Sequence, residues 1–127
     1  SRRWVDMLHK HGVAMAVVSS SRNAAAVLEA AGMAEDFTVL VDGNLSKVEG
    51  LPGKPAPDTY LRGAELLGVP AGQCVVVEDA VSGVRAGVVG GFGMVLGVNR
   101  GIGADRLREA GADRVVDDLD EMAEEMA

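Results

Sequence analysis

Residues 74–83 read CVVVEDAVSG, an apolar run that meets two adjacent carboxylates and then continues into a helix-like pattern. Because its apolar residues do not alternate with polar ones, the run predicts a strand of a parallel sheet that is covered on both faces. Open parallel sheets bind ligands beyond the carboxyl ends of their strands, where Glu78 and Asp79 would lie. Two adjacent carboxylates repel each other and favour a cation such as Mg²⁺. The alternative is that Asp79 caps the following helix and Glu78 faces water.

The composition indicates one globular domain over residues 1–127. Hydrophobic residues make up 48% of the chain and aromatic residues 3%, so the predicted core is mainly aliphatic. The net charge of −7 is concentrated in the acidic tail, and no cluster of Lys and Arg indicates nucleic-acid binding. The single cysteine favours a reducing, cytoplasmic location. We find no signal peptide, and no apolar run approaches the ~20 residues that a membrane span needs.

Strand, turn, helix and glycine recur along the whole chain, which predicts an α/β domain with a parallel sheet and right-handed crossovers. The predicted strands lie at residues 13–18, 38–41, 74–77, 94–97 and 114–116. The predicted helices lie at residues 1–11, 24–31, 58–67, 81–89, 105–110 and 119–126. Residues 42–53, DGNLSKVEGLPG, are rich in Gly, Asn, Asp and Pro and therefore predict a loop.

Three groups of polar residues fall where strands and helices join: Ser19, Lys54 and the pair Glu78 and Asp79. In a parallel sheet these junctions share one edge, so we expect a site for phosphate and metal. A serine hydroxyl and a helix start can donate to phosphate oxygens, and a lysine can stabilise charge that develops in phosphoryl transfer. Carboxylates would hold the metal. Taken singly, the serine run could be a helix cap and the lysine could be solvated.

Three segments resemble motifs of the haloacid dehalogenase-like superfamily, in particular its β-phosphoglucomutase-like phosphatases and mutases. They are Val17-Val18-Ser19, the sequence GKPAPD at residues 53–58 and the sequence VEDAVSG at residues 77–83. The resemblance extends over essentially all of the chain. It implies a Rossmann-like, three-layer core, Mg²⁺ and an aspartyl-phosphate intermediate. The implied function is phosphoryl transfer on a small phosphorylated metabolite such as a sugar phosphate, by a phosphatase or a β-phosphoglucomutase.

The resemblance also implies a role for each matching residue. Ser19 and Lys54 would be catalytic, because both would bind the transferring phosphoryl group. Asp79 would be a direct Mg²⁺ ligand, and Glu78 would be a second ligand or a partner of the ligands. The residues that match the mutase positions for the far phosphate of a sugar bisphosphate are Ser21, Arg22 and Asn23.

The sequence departs from the family pattern at the first motif. In the family this motif is an Asp-x-Asp that follows an opening strand, and it supplies the nucleophile. Residues 118–120, DLD, have the spacing but follow the last predicted strand. The helical cap domain of this subgroup is also missing. We therefore expect the chain to be the C-terminal portion of a longer protein, inactive by itself. The alternative is a non-catalytic module within a larger carbohydrate-metabolising protein. A phospho-acceptor signalling receiver is discounted, because its acids would precede the hydroxyl along the chain.

The resembling family places its first-motif strand at the sheet centre, between the strand that ends at Ser19 and the strand that ends at Asp79. Without it, these two strands would lie roughly 10 Å apart with unpaired backbone groups between them. We therefore expect that the gap does not persist: the strands pair directly, or another strand fills it. We favour a bound N-terminal fragment or a strand exchanged with a second copy of the chain.

Overall fold

Helices and parallel strands alternate in the computed structural model, which describes residues 2–126. Its strands are β1 (Ala16–Val18), β2 (Val39–Val41), β3 (Val75–Glu78), β4 (Met94–Val98) and β5 (Arg114–Val116). Its helices are α1 (Arg2–Lys10), α2 (Ala24–Ala30), α3 (Gly43–Glu49), α4 (Asp58–Leu67), α5 (Val81–Val89), α6 (Ala104–Ala110) and α7 (Asp120–Met126). The predicted α/β class is therefore confirmed. Even the longest of these helices, α4, has only ten residues, and none of them could cross a membrane.

The strands described between residues 2 and 126 form two separate parallel sheets. In the first sheet β1 pairs with β2, with Ala16 opposite Val39. In the second sheet β3, β4 and β5 lie side by side, with Val75 opposite Met94. Parallel neighbours need a crossover through a third element, which accounts for the helices between the strands. β1 and β3 do not pair with each other, so direct pairing across the predicted gap does not occur.

The edges of β1 and β3 that have no neighbouring strand border a cavity of about 740 Å³, which we call the slot. Residues 13–20 and 73–79 form much of its wall. Val76 is 3% exposed, but Val75 and Val77 are 53% and 37% exposed. The prediction that this strand is covered on both faces is therefore wrong for one face. The structure describes a single chain, so the expectation that a bound fragment or an exchanged strand fills the gap stays a prediction.

The second sheet carries the core of the molecule and is covered by helices on both faces. On one face, α5 and α6 bury an aliphatic cluster of Val76, Val84, Val95 and Leu107. On the other face, α1 and α7 cover β4 and β5 but no residue of β3. That cluster consists of Trp4, Leu96, Val98, Val116, Leu119 and Ala123. Helices on both faces of a parallel sheet give the three layers of a Rossmann-like fold.

The first sheet is held mainly by α4, which packs against both of its strands. Gly63 and Ala64 on α4 are buried, and a Cβ at Gly63 would lie 3.1 Å from a methyl carbon of Val18. Val41 in β2 is fully buried, but all three residues of β1 are only half-buried. Small residues on the helix therefore allow it to approach the sheet closely.

The prediction of a loop over residues 42–53 is wrong, because Gly43–Glu49 forms the helix α3. Asp42 caps this helix by accepting a hydrogen bond from the Leu45 N–H at 2.9 Å, and Gly50 ends it in a left-handed conformation. The helix has seven residues and leaves Val48 84% exposed. Such a short helix shows little apolar periodicity, so only its caps could have indicated it.

Candidate active site

The ammonium of Lys54 connects the carboxyl ends of β1 and β3. It donates to the carbonyl of Val18 at 3.4 Å and to Oε2 of Glu78 at 3.0 Å. The Ser19 N–H donates to the carbonyl of Val41 in the neighbouring β2. The Val18 carbonyl belongs to the same planar peptide unit and therefore points the opposite way, toward the slot. Lys54 therefore lies at one end of the slot and satisfies a carbonyl that has no strand partner.

Ser19, Lys54, Glu78 and Asp79 all line the slot. The structure thus brings these predicted residues to one edge, as the strand order requires. Their roles in the chemistry stay predictions.

Glu78 is the most strongly engaged residue of the site. Its Oε2 accepts hydrogen bonds from Lys54 and from the Tyr60 hydroxyl, and its Oε1 accepts from the Asp79 N–H at 3.2 Å. Burial raises the pKa of Glu78, but the Tyr60 hydrogen bond and the Lys54 charge outweigh burial and lower it below its ordinary value. The side chain is 11% exposed, so the alternative in which Glu78 faces water is wrong.

Tyr60 is the residue of this cluster that the sequence pattern did not assign to the site. It lies on α4 and is the only tyrosine in the chain. Burial and the neighbouring Glu78 charge raise the pKa of Tyr60 far above its ordinary value, so its hydroxyl stays protonated and remains a donor. The Lys54 nitrogen lies 4.6 Å from the centroid of the Tyr60 ring. A lone tyrosine six residues after the motif lysine is the signal that could have found it.

Gly83 makes room for the Glu78 side chain at the start of α5. A Cβ at this position would lie 2.0 Å from Cδ and from Oε2 of Glu78, far inside any van der Waals contact. The glycine of the sequence VEDAVSG is therefore required by this close approach. Any larger residue would displace the carboxylate from Lys54.

Asp79 does not cap α5, because the N-cap residue is Ala80 and no side chain makes a cap hydrogen bond there. Its carboxylate is exposed and has no hydrogen-bond partner among residues 2–126. Carboxylate oxygens are the ligands that Mg²⁺ prefers. Within the part of the chain that the structure describes, no group of three His, Cys, Asp or Glu side chains could hold a metal ion. The exposed Asp79 carboxylate has the chemistry of a Mg²⁺ ligand, and the roles of Asp79 and Glu78 as ligands stay predictions.

A second cavity, of about 410 Å³, opens beside the slot and shares Ser19 and Lys54 with it. Its wall also includes Arg22 on the loop after β1, Ser46 on α3 and Ser82 on α5. Two cations and several hydroxyls line it, and no carboxylate does. Its chemistry therefore suits an anionic ligand. We call it the anion cavity.

The serines after β1 build a turn rather than a helix cap. The Ser19 hydroxyl oxygen accepts from the Ser21 N–H, and the Ser21 hydroxyl oxygen accepts from the Asn23 N–H, each at 3.1 Å. The N-cap of α2 is Asn23, which makes no side-chain cap hydrogen bond. Because Ser19 Oγ only accepts within the turn, its proton can be donated to a ligand. Of the predicted phosphate-binding trio, Arg22 lines the anion cavity and Ser21 and Asn23 do not.

Asp118 and Asp120 lie at the beginning of α7, after the edge strand β5. Oδ1 of Asp118 accepts from the Asp120 N–H at 2.9 Å, and Glu121 accepts from the N–H groups of Asp117 and Asp118. Neither Asp118 nor Asp120 lines the slot. This Asp-x-Asp therefore organises a helix start rather than the site.

The profile of the haloacid dehalogenase-like hydrolases matches residues 1–91. The chain belongs to this family. It is 46% identical over 125 residues to a beta-phosphoglucomutase of Mycobacterium bovis. The aligned region covers 96% of this chain and 48% of the relative. It is 39% identical to a trehalose-phosphate phosphatase of Mycobacterium leprae, over 93% of this chain and 27% of that protein. The chain thus spans about half, or less, of the length of these relatives.

A similar structure confirms the fold of this haloacid dehalogenase-like chain. The crystal structure of a family hydrolase from Deinococcus radiodurans, determined with bound phosphate and sodium, superimposes with a TM-score of 0.80 at 32% identity. The superposition covers 98% of this chain and 56% of the other. The predicted family resemblance and the Rossmann-like core are therefore confirmed.

Proposed function

We propose that this chain is the phosphate- and metal-binding part of a Mg²⁺-dependent phosphoryl-transfer enzyme, a phosphatase or a phosphoglucomutase. The proposed substrate is a small phosphorylated metabolite, in particular a sugar phosphate. The observation that carries the proposal is the position of Lys54, whose ammonium joins the ends of β1 and β3 and lines both cavities beside Ser19. The family and the names of the two mycobacterial relatives support it. A cytoplasmic location is part of the proposal and is supported by the single cysteine.

In this proposal Ser19 and Lys54 bind the transferring phosphoryl group. The Ser19 hydroxyl donates a hydrogen bond, and Lys54 supplies a positive charge close to the phosphoryl oxygens. Arg22, together with Ser21 and Asn23 of the same turn, binds a second anionic group of the substrate. The lining of the anion cavity by Arg22 supports this assignment, and for Ser21 and Asn23 the support is the motif alone.

Asp79 and Glu78 are the proposed Mg²⁺ ligands. Asp79 offers an accessible carboxylate, whereas Oε2 of Glu78 is already held by Lys54 and Tyr60. Bound Mg²⁺ would neutralise charge on the phosphoryl group. Because the described residues form no cluster of three ligands, we expect Mg²⁺ to bind this chain only weakly.

We predict that the chain by itself does not hydrolyse phosphate esters. Ser19 and Lys54 stabilise charge, but the nucleophilic Asp-x-Asp does not follow any strand that lines the slot. The measurement is hydrolysis of an aryl phosphate with Mg²⁺ by the purified chain. Turnover above background that Lys54→Ala abolishes would contradict the prediction.

The proposal also predicts that inorganic phosphate binds near Ser19 and Lys54. We expect the double variant Ser19→Ala, Lys54→Ala to lose about tenfold or more in phosphate affinity, since a hydrogen bond to a charged group contributes about 1.5–3 kcal/mol. Calorimetry of the chain measures this affinity. Lys47→Ala, which removes an exposed lysine of α3, is the matched control and should leave the affinity unchanged.

The protein encoded by the full open reading frame that contains this chain distinguishes an enzyme from a non-catalytic module. An Asp-x-Asp after a strand upstream of this chain would support the enzyme. In that protein we expect Lys54→Ala to lower kcat by a factor on the order of 10²–10³, as the loss of a preorganised charge does. Activity on sugar phosphates that does not depend on Lys54, or no activity at all, would overturn the assignment.

We further propose that a strand from outside the described fold fills the slot, either a bound N-terminal fragment or a segment exchanged with a second copy of the chain. The unpaired edges of β1 and β3 and the exposed Val75 and Val77 support this. Light scattering combined with native mass spectrometry should find a dimer or a companion peptide. A folded monomer without a peptide would contradict it.

A further inference from the structure

Tyr60 contacts both members of the ion pair at the end of the slot. Its hydroxyl donates to Oε2 of Glu78, the same oxygen that accepts from the Lys54 ammonium at 3.0 Å. Its ring faces that ammonium with 4.6 Å between nitrogen and centroid, which is within the range of a cation–π attraction. One side chain therefore acts on the carboxylate through a hydrogen bond and on the cation through its ring.

The surroundings keep this arrangement in one geometry. The Tyr60 ring packs against Phe92 edge-to-face, with 5.9 Å between centroids and an interplanar angle of 70°. The Glu78 carboxylate also lies against Gly83, where a Cβ would come within 2.0 Å of its Cδ and Oε2. The carboxylate is thus in contact with both the Tyr60 hydroxyl and the start of α5.

The Tyr60 hydroxyl changes how strongly Glu78 attracts Lys54. A carboxylate that is 11% exposed must be compensated by donors, because a buried charge without hydrogen bonds is costly. With two donors on Oε2, the Lys54 ammonium is shared between Glu78 and the Val18 carbonyl, and the Lys54 side chain, which is 23% exposed, lines both cavities. Without the hydroxyl, Lys54 would be the only side-chain donor to Oε2 and would be drawn closer to it.

We propose that Tyr60 is a positioning residue of this site, which holds Glu78 and Lys54 in a fixed geometry and keeps the Lys54 ammonium directed toward the anion cavity. Only the consequence for anion binding rests on the proposed function. The effect of Tyr60 on Lys54 stands independently of it.

Nuclear magnetic resonance of the Lys54 side chain tests the positioning directly. Tyr60→Phe keeps the ring and deletes the hydroxyl, whereas Tyr60→Leu deletes both. The matched control is Thr38→Val, which removes an exposed hydroxyl that lines neither the slot nor the anion cavity. The Lys54 ammonium signal is assigned by its loss in Lys54→Arg.

In Tyr60→Phe we expect the nitrogen resonance of Lys54 to shift, while the ring-current shift of its ε-protons is retained. In Tyr60→Leu the ring-current shift is lost as well, and in Thr38→Val neither changes. A Lys54 signal that is unchanged in Tyr60→Phe overturns the proposal, even if the free energy of unfolding falls. A purely structural role of Tyr60 would lower the free energy of unfolding without shifting the Lys54 signal. If Tyr60→Leu does not fold, Tyr60→Phe decides.

Calorimetry with inorganic phosphate then tests the consequence. We expect Tyr60→Phe to weaken phosphate binding about tenfold, which corresponds to 1.4 kcal/mol, and Thr38→Val to leave it unchanged. Equal affinity of Tyr60→Phe and the parent chain overturns the part of the proposal that concerns the anion. If the parent chain binds no phosphate, the proposed function fails on this point, and the Lys54 resonance alone decides the role of Tyr60.

Discussion

The two sheets of this molecule are stabilised in different ways. In β4 the four residues from Val95 to Val98 are buried, and helices cover both faces of its sheet. In β1 every residue is only half-buried, and α4 is the main helix packed on that sheet. The second sheet is therefore held by its hydrophobic core. The first depends on α4 and on the polar cluster of Lys54, Tyr60 and Glu78, which joins it to β3.

This difference matters because the candidate site uses both sheets. Ser19 belongs to the lightly buried sheet, and Glu78 and Asp79 belong to the strongly buried one. The carboxylates lie at the end of β3, in which Val76 is buried but Val75 and Val77 are exposed, and the Ser19 hydroxyl is held by the turn after β1. Lys54 is the residue that bonds to both sides.

The largest expected effect comes from deleting apolar volume in the second sheet. Leu96→Ala in β4 should lower the free energy of unfolding by about 3–5 kcal/mol, because Leu96 is fully buried and truncation leaves a cavity. The same deletion in the first sheet, Leu40→Ala in β2, should cost about 1–2 kcal/mol, since Leu40 is only half-buried. Denaturant unfolding measures both. Equal losses would show that the two sheets do not differ as described.

An intermediate effect is expected from the polar cluster that joins the sheets. Glu78→Gln should lower the free energy of unfolding at neutral pH by about 1–2 kcal/mol, because the Tyr60 hydrogen bond becomes a neutral one and the Lys54 ammonium loses its opposite charge. Glu124→Gln on α7 is an exposed control that should change little.

The pH dependence of unfolding gives a second measurement on the same variant. The pKa of Glu78 is lower in the folded chain than its ordinary value, so its ionised form stabilises the fold above about pH 4.3. That stabilisation is lost as the pH falls through the folded pKa. The parent chain should therefore lose more stability on acidification than Glu78→Gln. Identical acid profiles would contradict this.

The smallest effect is expected at the edge of the first sheet. Asp42→Ala should cost about 1 kcal/mol, because it removes the N-cap of α3. Hydrogen exchange should report faster exchange confined to residues 43–49, while Asp42→Asn retains the acceptor and most of the protection. A loss of protection in β4 would show that α3 is coupled to the core more tightly than its exposed face indicates.

The sequence predicted the strands and most helices because their signals are local. The apolar runs that become β3 and β4 are uninterrupted, and the glycines after α4 and α6 adopt the left-handed conformation that ends a helix. The helix α3 was missed because seven residues with an exposed valine show little periodicity. The motif residues Ser19 and Lys54 were found from their order along the chain.

By itself, the sequence determined the α/β class, the family and the meeting of Ser19, Lys54, Glu78 and Asp79 at one edge, since these follow from strand order and from motif spacing. Only the tertiary structure decided that the strands divide into two sheets with a slot between them. Only it brought Tyr60 onto Glu78 and placed Gly83 behind the carboxylate. The physical reason is that these contacts join residues whose distances are set by helix packing, and local sequence patterns carry no information about them.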